Sequence, residues 1–240
     1  DWETWELSTI DNPTFSLVEY EVAKRQLDPD VFAEQYEGKL ISRRGLVFKF
    51  DETKHIIPDN QIPPEVRILN TAVSVQPGGQ NPSVAVFMTY NPTQNLYYVL
   101  DEIYDEETIF TDTVDKIKVK MAGKNLIGGI ITDWANREAQ TKLEKAGLTV
   151  VVNDTERKLG RNPALAARTQ TMQSILKIID GMPRIVISDK CIRLIEDFKK
   201  CKWPDSPRED ADRLVSEIPL LKYFQGPQAL AHIFNFIGKT

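Results

Sequence analysis

The chain has 240 residues, with 35 Asp and Glu against 30 Lys and Arg, for a net charge of −5. With 41% hydrophobic and 27% charged residues it has the balance of a globular protein, which excludes wholesale disorder. No apolar run reaches the ~18 residues of a membrane span; the start, Asp1-Trp2-Glu3-Thr4, carries no basic-then-apolar leader; and Cys191 and Cys201 are too few for a disulfide scaffold.

These features set the expectation of a cytoplasmic chain with no membrane partner. The acidic balance argues against a protein coated in positive charge for nucleic acid. It leaves room for a local basic track beside an acidic pocket.

In chain order, Asp11-Asn12-Pro13-Thr14-Phe15-Ser16 reads as a turn and helix start, with Ser16 as cap. Leu17, Tyr20, Ala23 and Leu27 then recur at helical spacing. Asp28-Pro29-Asp30 opens a second short helix that stops at Gly38, residues 45–50 read as a strand, and the proline-containing stretch 55–64 as a linker. Residues 71–75, 84–90 and 96–103 form three closely spaced strands, an antiparallel meander, followed by a helix over 111–122.

The second half alternates: strands over 127–132, 148–152 and 184–187, and helices over 136–146, 163–179, 189–200 and from Pro207 to about 218. The sum is an α/β fold, a mixed sheet of three antiparallel strands and then parallel ones, flanked by helices. Repeats, low-complexity tracts and a complete Walker A loop are absent; Gly238-Lys239-Thr240 matches only the loop's last letters.

Nucleophile triads find little support, because His55 and His232 are the only histidines and each reads as a packing or solvent-facing residue. Cys191 and Cys201 read as buried thiols. The carboxylates are more informative. Asp133 ends a glycine-containing strand, where it can cap the next helix or project beyond the sheet edge. Glu209-Asp210-Ala211-Asp212 clusters at a helix start, where the helix dipole alone would favour it, while Asp101-Glu102 reads as solvent-facing.

Carboxylates converging from a strand end and a distant helix are what hard divalent cations and two-metal phosphodiester hydrolysis require. Arg157, Lys158, Arg161 and Arg168 fall in a loop and long helix after the Asp133 unit, either as a solvated face or as a phosphate-tracking surface.

Several of these segments, in this order, resemble the C-terminal nuclease part of the large terminase subunit of tailed bacteriophages. They are Asp11-Asn12-Pro13 with Tyr36-Glu37-Gly38; the turn Pro77 to Ser83; Leu100 to Tyr104; Ile131-Thr132-Asp133-Trp134-Ala135; Cys191 to Trp203; and Asp210-Ala211-Asp212-Arg213-Leu214. The resemblance covers roughly residues 8–223. It implies an RNase H-like domain over 65–224, preceded by a linker or extension over 1–64 that follows an absent packaging ATPase domain, and followed by a C-terminal helix or tail over 225–240.

It further implies a metal-dependent endonuclease that cuts concatemeric double-stranded viral DNA in the host cytoplasm by two-metal hydrolysis. Asp133 and Asp210, with Asp212 as a further candidate, would act with two Mg²⁺ or Mn²⁺ ions. Arg157, Lys158, Arg161 and Arg168 would guide DNA, and the partners would be the ATPase domain, the portal and the small terminase subunit.

The sequence departs from that family in one place. Where the family has an aspartate before the proline-glycine turn, this chain has Gln76, a neutral amide that offers one carbonyl oxygen and no charge. The site is then weakened or inactivated, or Glu209, Asp210 and Asp212 compensate for it. On one helix Asp210 and Asp212 would point about 200° apart, so only one of them would face a given pocket. The alternative function is a nuclease-inactive DNA-binding or docking module of the packaging motor; a Holliday-junction resolvase or an integrase-like strand transferase is more distant.

Overall fold

Alternating Val, Ile, Phe and Tyr build the strands, and short turns between the first three long ones impose antiparallel pairing. The computed structural model describes residues 8–27, 29–39, 45–78, 81–106, 110–152, 154–204, 219 and 221–237. Among these, β1 (Ile56–Ile57), β2 (Thr71–Gln76), β3 (Ser83–Asn91), β4 (Leu96–Asp105), β5 (Leu126–Thr132), β6 (Val150–Val152) and β7 (Ile185–Ser188) form one sheet in the order β1-β7-β4-β3-β2-β5-β6. β2, β3 and β4 pair antiparallel, while β5, β6 and β7 join in parallel. This is the mixed sheet expected.

Side-chain alternation assigns the two faces. Val73, Val75, Ala85, Phe87 and Ile130 pack against α5 (Phe110–Met121) and α6 (Arg137–Lys145) through Val114, Ile117 and Leu143. The opposite face presents Ala72, Val84, Val86, Met88 and Ile131 to α8 (Arg161–Ile175), α9 (Ile192–Lys200) and α10 (Gln225–Ile237). The two-residue period places Gln76 with Ala72, and Asp133 with Ile131, on this second face. Gly129 brings β5 close to its neighbour: a Cβ there would lie 2.7 Å from the Thr149 carbonyl oxygen, to which Ile130 N–H donates.

The N-terminal helices α1 (Leu17–Gln26) and α2 (Pro29–Tyr36) pair through Tyr20, Ala23 and Phe32. Ser16 caps α1 as expected, accepting from Glu19 N–H. At the far end of α1 the Lys177 ammonium donates to the carbonyls of Lys24 and Leu27, tying the hairpin to the body.

Several expectations change. Residues 45–50 form no strand; Leu46 makes one bridge to Lys202, while Val47 and Phe48 bury themselves in the sheet-helix core, Phe48 against Phe198. The stretch 55–64 is no linker. It supplies β1 at the sheet edge, and Pro63 and Pro64 open the short helix α4 (Pro64–Arg67), as proline at a helix start permits. His55, at the end of α3 (Glu52–His55), is fully buried with Nε2 3.0 Å from the Leu176 carbonyl. A boundary at residue 65 would thus cut through both sheet and core.

Of the helix or tail expected over 225–240, the described part is a helix packed into the core. Gln225 through Phe234 are all buried, and α10 crosses β2, β3 and β5. Residues 154–159, expected as a loop, form α7 (Asp154–Leu159), which is separated from α8 by Gly160 at φ 84°. The helix expected from Pro207 to 218 lies outside the described residues.

Candidate functional site

β2 and β5 are parallel neighbours in register at Val75 and Thr132, so Gln76 and Asp133 leave the sheet side by side at its C-terminal edge. Ligands of open α/β sheets gather beyond such strand ends. Here the edge opens into a cleft of about 520 Å³ lined by Gln76, Asp133, Arg137, Arg168, Gln225 and Gln228, among others. The turn after β2 forms one wall. Gly78 N–H donates to Ser83 Oγ at 3.0 Å, and a Cβ on Gly78 would meet the Asn81 carbonyl oxygen at 2.2 Å, so only glycine fits.

The turn after β5 is tightly fixed. Asp133 Oδ1 accepts from Ala135 N–H at 2.9 Å, and the Gln140 amide donates to the carbonyls of Asp133 and Trp134. Asn136, not Asp133, caps α6, accepting from Ala139 N–H at 3.0 Å. The second oxygen, Asp133 Oδ2, faces Arg168 Nη1 at 3.4 Å, and the same nitrogen lies 3.5 Å from Gln228 Oε1. Arg168 is 2% exposed, a buried guanidinium set into the wall of the cleft. On the neighbouring strand, Gln76 Oε1 lies 3.1 Å from Nε2 of the buried His232.

The expected site residues separate into three groups. Gln76, Asp133 and Arg168 come together in the cleft. Arg157 and Lys158 are exposed on α7 and do not line it, and Arg161 begins α8 with a side chain outside the description. Asp210, Asp212 and Glu209 lie outside the described residues.

Sequence reasoning missed Arg137, Gln225, Gln228 and His232. The last three fall at i, i+3 and i+7 on α10, a polar stripe on a mostly apolar helix, and that spacing was the available signal. Glu102 is placed differently from expectation, whereas Asp101 stays partly exposed. Asp101 pairs with Lys120, and Glu102 accepts from the Arg193 and Leu194 N–H groups at the start of α9.

These contacts decide how well the described residues suit a two-ion centre. Hard divalent cations need several oxygen donors with free lone pairs, preferably carboxylates. Among the described lining residues the carboxylates are Asp133 and Glu138, and Glu138 pairs with Lys142 at 2.7 Å. Both Asp133 oxygens and the carbonyl oxygens of Gln76 and Gln228 already face N–H groups. The described donor set therefore does not fit two metal ions. No group of three or more His, Cys, Asp or Glu side chains suited to a metal occurs among the described residues.

No family model and no curated protein sequence matches the chain. Similar structures exist. The large terminase of the thermophilic bacteriophage D6E superposes with a TM-score of 0.71 at 15% identity, over 96% of this chain and 53% of that one. The g2p (large terminase) nuclease domain of bacteriophage SPP1, a crystal structure with bound Mn, gives 0.56 at 17% identity, over 78% and 97%. The P22 large terminase nuclease domain gives 0.54 at 11%, over 81% and 93%.

The chain thus spans about half the length of the D6E terminase. It has the fold of large-terminase nuclease domains, with the RNase H-like mixed sheet expected from the sequence. At these identities the likeness is one of fold.

Proposed function

We propose that this chain is the RNase H-like domain of a viral DNA-packaging terminase. It engages the backbone of double-stranded DNA at the cleft beyond β2 and β5, and its phosphodiester hydrolysis is weakened by Gln76. The observation that carries this reading is the shared cleft of Gln76, Asp133 and Arg168 at the C-terminal edge of a terminase-type sheet. Arg168 and Arg137 line the cleft, and Arg157 and Lys158, exposed on α7, would extend a basic track toward the DNA, with Arg161 as a further candidate. Such contacts hold phosphates and carry little sequence information.

In the full-length protein the hairpin α1–α2 would lead in from a packaging ATPase domain. The portal and small terminase subunit would be further partners, and the host cytoplasm the setting.

A second reading is a working metal-dependent endonuclease in which Asp133 and Asp210, or Asp212, hold Mg²⁺ or Mn²⁺. It is favoured by one observation: the segment 205–218 that carries these acids leads into α10, whose first residues, Gln225 and Gln228, line the cleft. Such ions would polarise the phosphodiester and activate water. At the other limit, complete loss of hydrolysis leaves a DNA-binding or docking module.

Incubating supercoiled plasmid with Mg²⁺ or Mn²⁺, beside a gel shift in EDTA, separates these readings. The proposal expects duplex binding in EDTA with little nicking. Vigorous metal-dependent nicking that disappears in Asp133→Asn establishes the second reading. Failure to bind duplex at low salt removes the proposal.

A further inference from the structure

Three glutamines line the cleft, Gln76 at the end of β2 and Gln225 and Gln228 at the start of α10. We infer that their amide N–H groups form a site for a phosphodiester oxygen, held directly by hydrogen bonds. Gln76 is then a phosphate donor in its own right at the end of β2. The inference deepens the proposed function and rests on it for the identity of the ligand.

A primary amide has an acceptor end and a donor end, and its partners decide which end is left for a ligand. A guanidinium only donates, so the end of Gln228 that faces Arg168 Nη1, at 3.5 Å, is its oxygen. The Gln76 oxygen lies 3.1 Å from His232 Nε2; a carbonyl only accepts, so that ring nitrogen carries the hydrogen. In both glutamines the oxygen is committed, and the NH₂ group has no hydrogen-bond partner among the described residues.

Gln225 lines the same cleft at 6% exposure, and neither end of its amide is hydrogen-bonded to a described residue. Gln228 is 3% exposed. Polar groups at such depth cost free energy until they find a partner, and the cleft is where a partner can enter.

The chemistry of these donors selects the partner. N–H groups call for an acceptor, and an ionised oxygen forms hydrogen bonds roughly twice as strong as a neutral one does. Phosphate oxygens are the anionic acceptors that a duplex presents, and glutamine side chains are among the groups that bind them. Such contacts fix the position of the backbone and read no sequence.

The experiment is ¹H–¹⁵N NMR of the side-chain amides of the full chain, titrated with a short duplex in EDTA. The amide protons of Gln76, Gln225 and Gln228 are expected to move downfield as the duplex saturates the protein. Gln76→Met, which removes the donor without adding charge, is expected to lower duplex affinity about tenfold, the loss of one hydrogen bond to a charged group. Amide signals that stay in place while duplex binds, or an unchanged affinity in Gln76→Met, overturn the inference.

If Gln76→Met fails to fold, as judged by circular dichroism, the amide shifts of the unmodified chain decide alone. If the unmodified chain binds no duplex, the DNA reading fails and dimethyl phosphate, a minimal phosphodiester, replaces the duplex in the same titration. Downfield movement of the three amides then supports the donor site, and its absence overturns it.

Discussion

The Arg168 guanidinium and the Asp133 carboxylate meet in the cleft wall at 3.4 Å, one 2% exposed and the other 18%. Removing the carboxylate leaves the guanidinium without this counter-charge. Asp133→Ala is expected to cost about 1.5–3 kcal/mol in urea unfolding, the range for a hydrogen bond to a charged group. Arg168→Met on that background should recover part of the loss, because a buried pair replaced by apolar groups is often neutral. Strict additivity of the two changes would show that the residues do not interact.

Gly78→Ala should destabilise the fold by about 1–3 kcal/mol, the usual cost of overpacking. The added Cβ meets backbone atoms of Asn81, Pro82 and Ser83 at 2.2–2.6 Å, and backbone cannot swing aside as a long side chain can. A melting temperature unchanged from the parent would contradict this. Asn81 lines the cleft, so DNA binding should fall as the turn shifts.

Two carboxyls, the buried Asp197 and the half-buried Glu102, set a pH dependence. Burial raises Glu102 from 4.5 to about 7 and Asp197 from 3.8 to about 6, although each accepts backbone N–H bonds, Asp197 from Gly226 at the start of α10. Both groups hold their protons more tightly when folded than when unfolded. Their contribution is present below about pH 4 and is lost as the pH rises through 6 to 7; each is on the order of 3 kcal/mol.

Relative to Glu102→Gln/Asp197→Asn, the unmodified chain should therefore lose stability across that rise. His55 runs the opposite way: burial lowers its pKa, so its contribution is lost as the pH falls below its ordinary 6.5. Urea midpoints of both chains between pH 4 and pH 8 check the sign. A difference curve that is flat, or that rises for the parent, contradicts the assignment.

Much of the fold was legible because its strands are long, β-branched and separated by turn residues, as β2, β3 and β4 are. β1 was not, because two residues carry no periodicity and the prolines around them look like a linker. The importance of α10 was hidden for a related reason. A helix that is mostly apolar and largely buried offers little contrast between its faces, and the stripe Gln225, Gln228 and His232 was the signal that pointed to the cleft.

Asp133 and Gln76 were found from strand ends. The contact between them and residues on α8 and α10 is a property of sheet order, which the sequence did not reveal. Arg168 was grouped with exposed neighbours on chain position, yet its place on α8 turns it inward.

Lys177→Met tests how the hairpin is held. Without the ammonium at the carbonyls of Lys24 and Leu27, the end of α1 loses these two hydrogen bonds to the body. Limited proteolysis should then cut within residues 8–39 faster than in the parent, with global stability changed by about 1 kcal/mol or less. Unaltered cleavage rates would show that other contacts with the body, such as Gln35 with Gln170 on α8, suffice.

The central claim, a domain that grips the DNA backbone without relying on metal ions, is tested most directly by duplex binding in EDTA as a function of salt. Measurable affinity at low salt and a linear fall of log K with log salt are expected, as phosphate contacts by Arg and Lys require. Binding that appears only when Mg²⁺ or Mn²⁺ is supplied would contradict it.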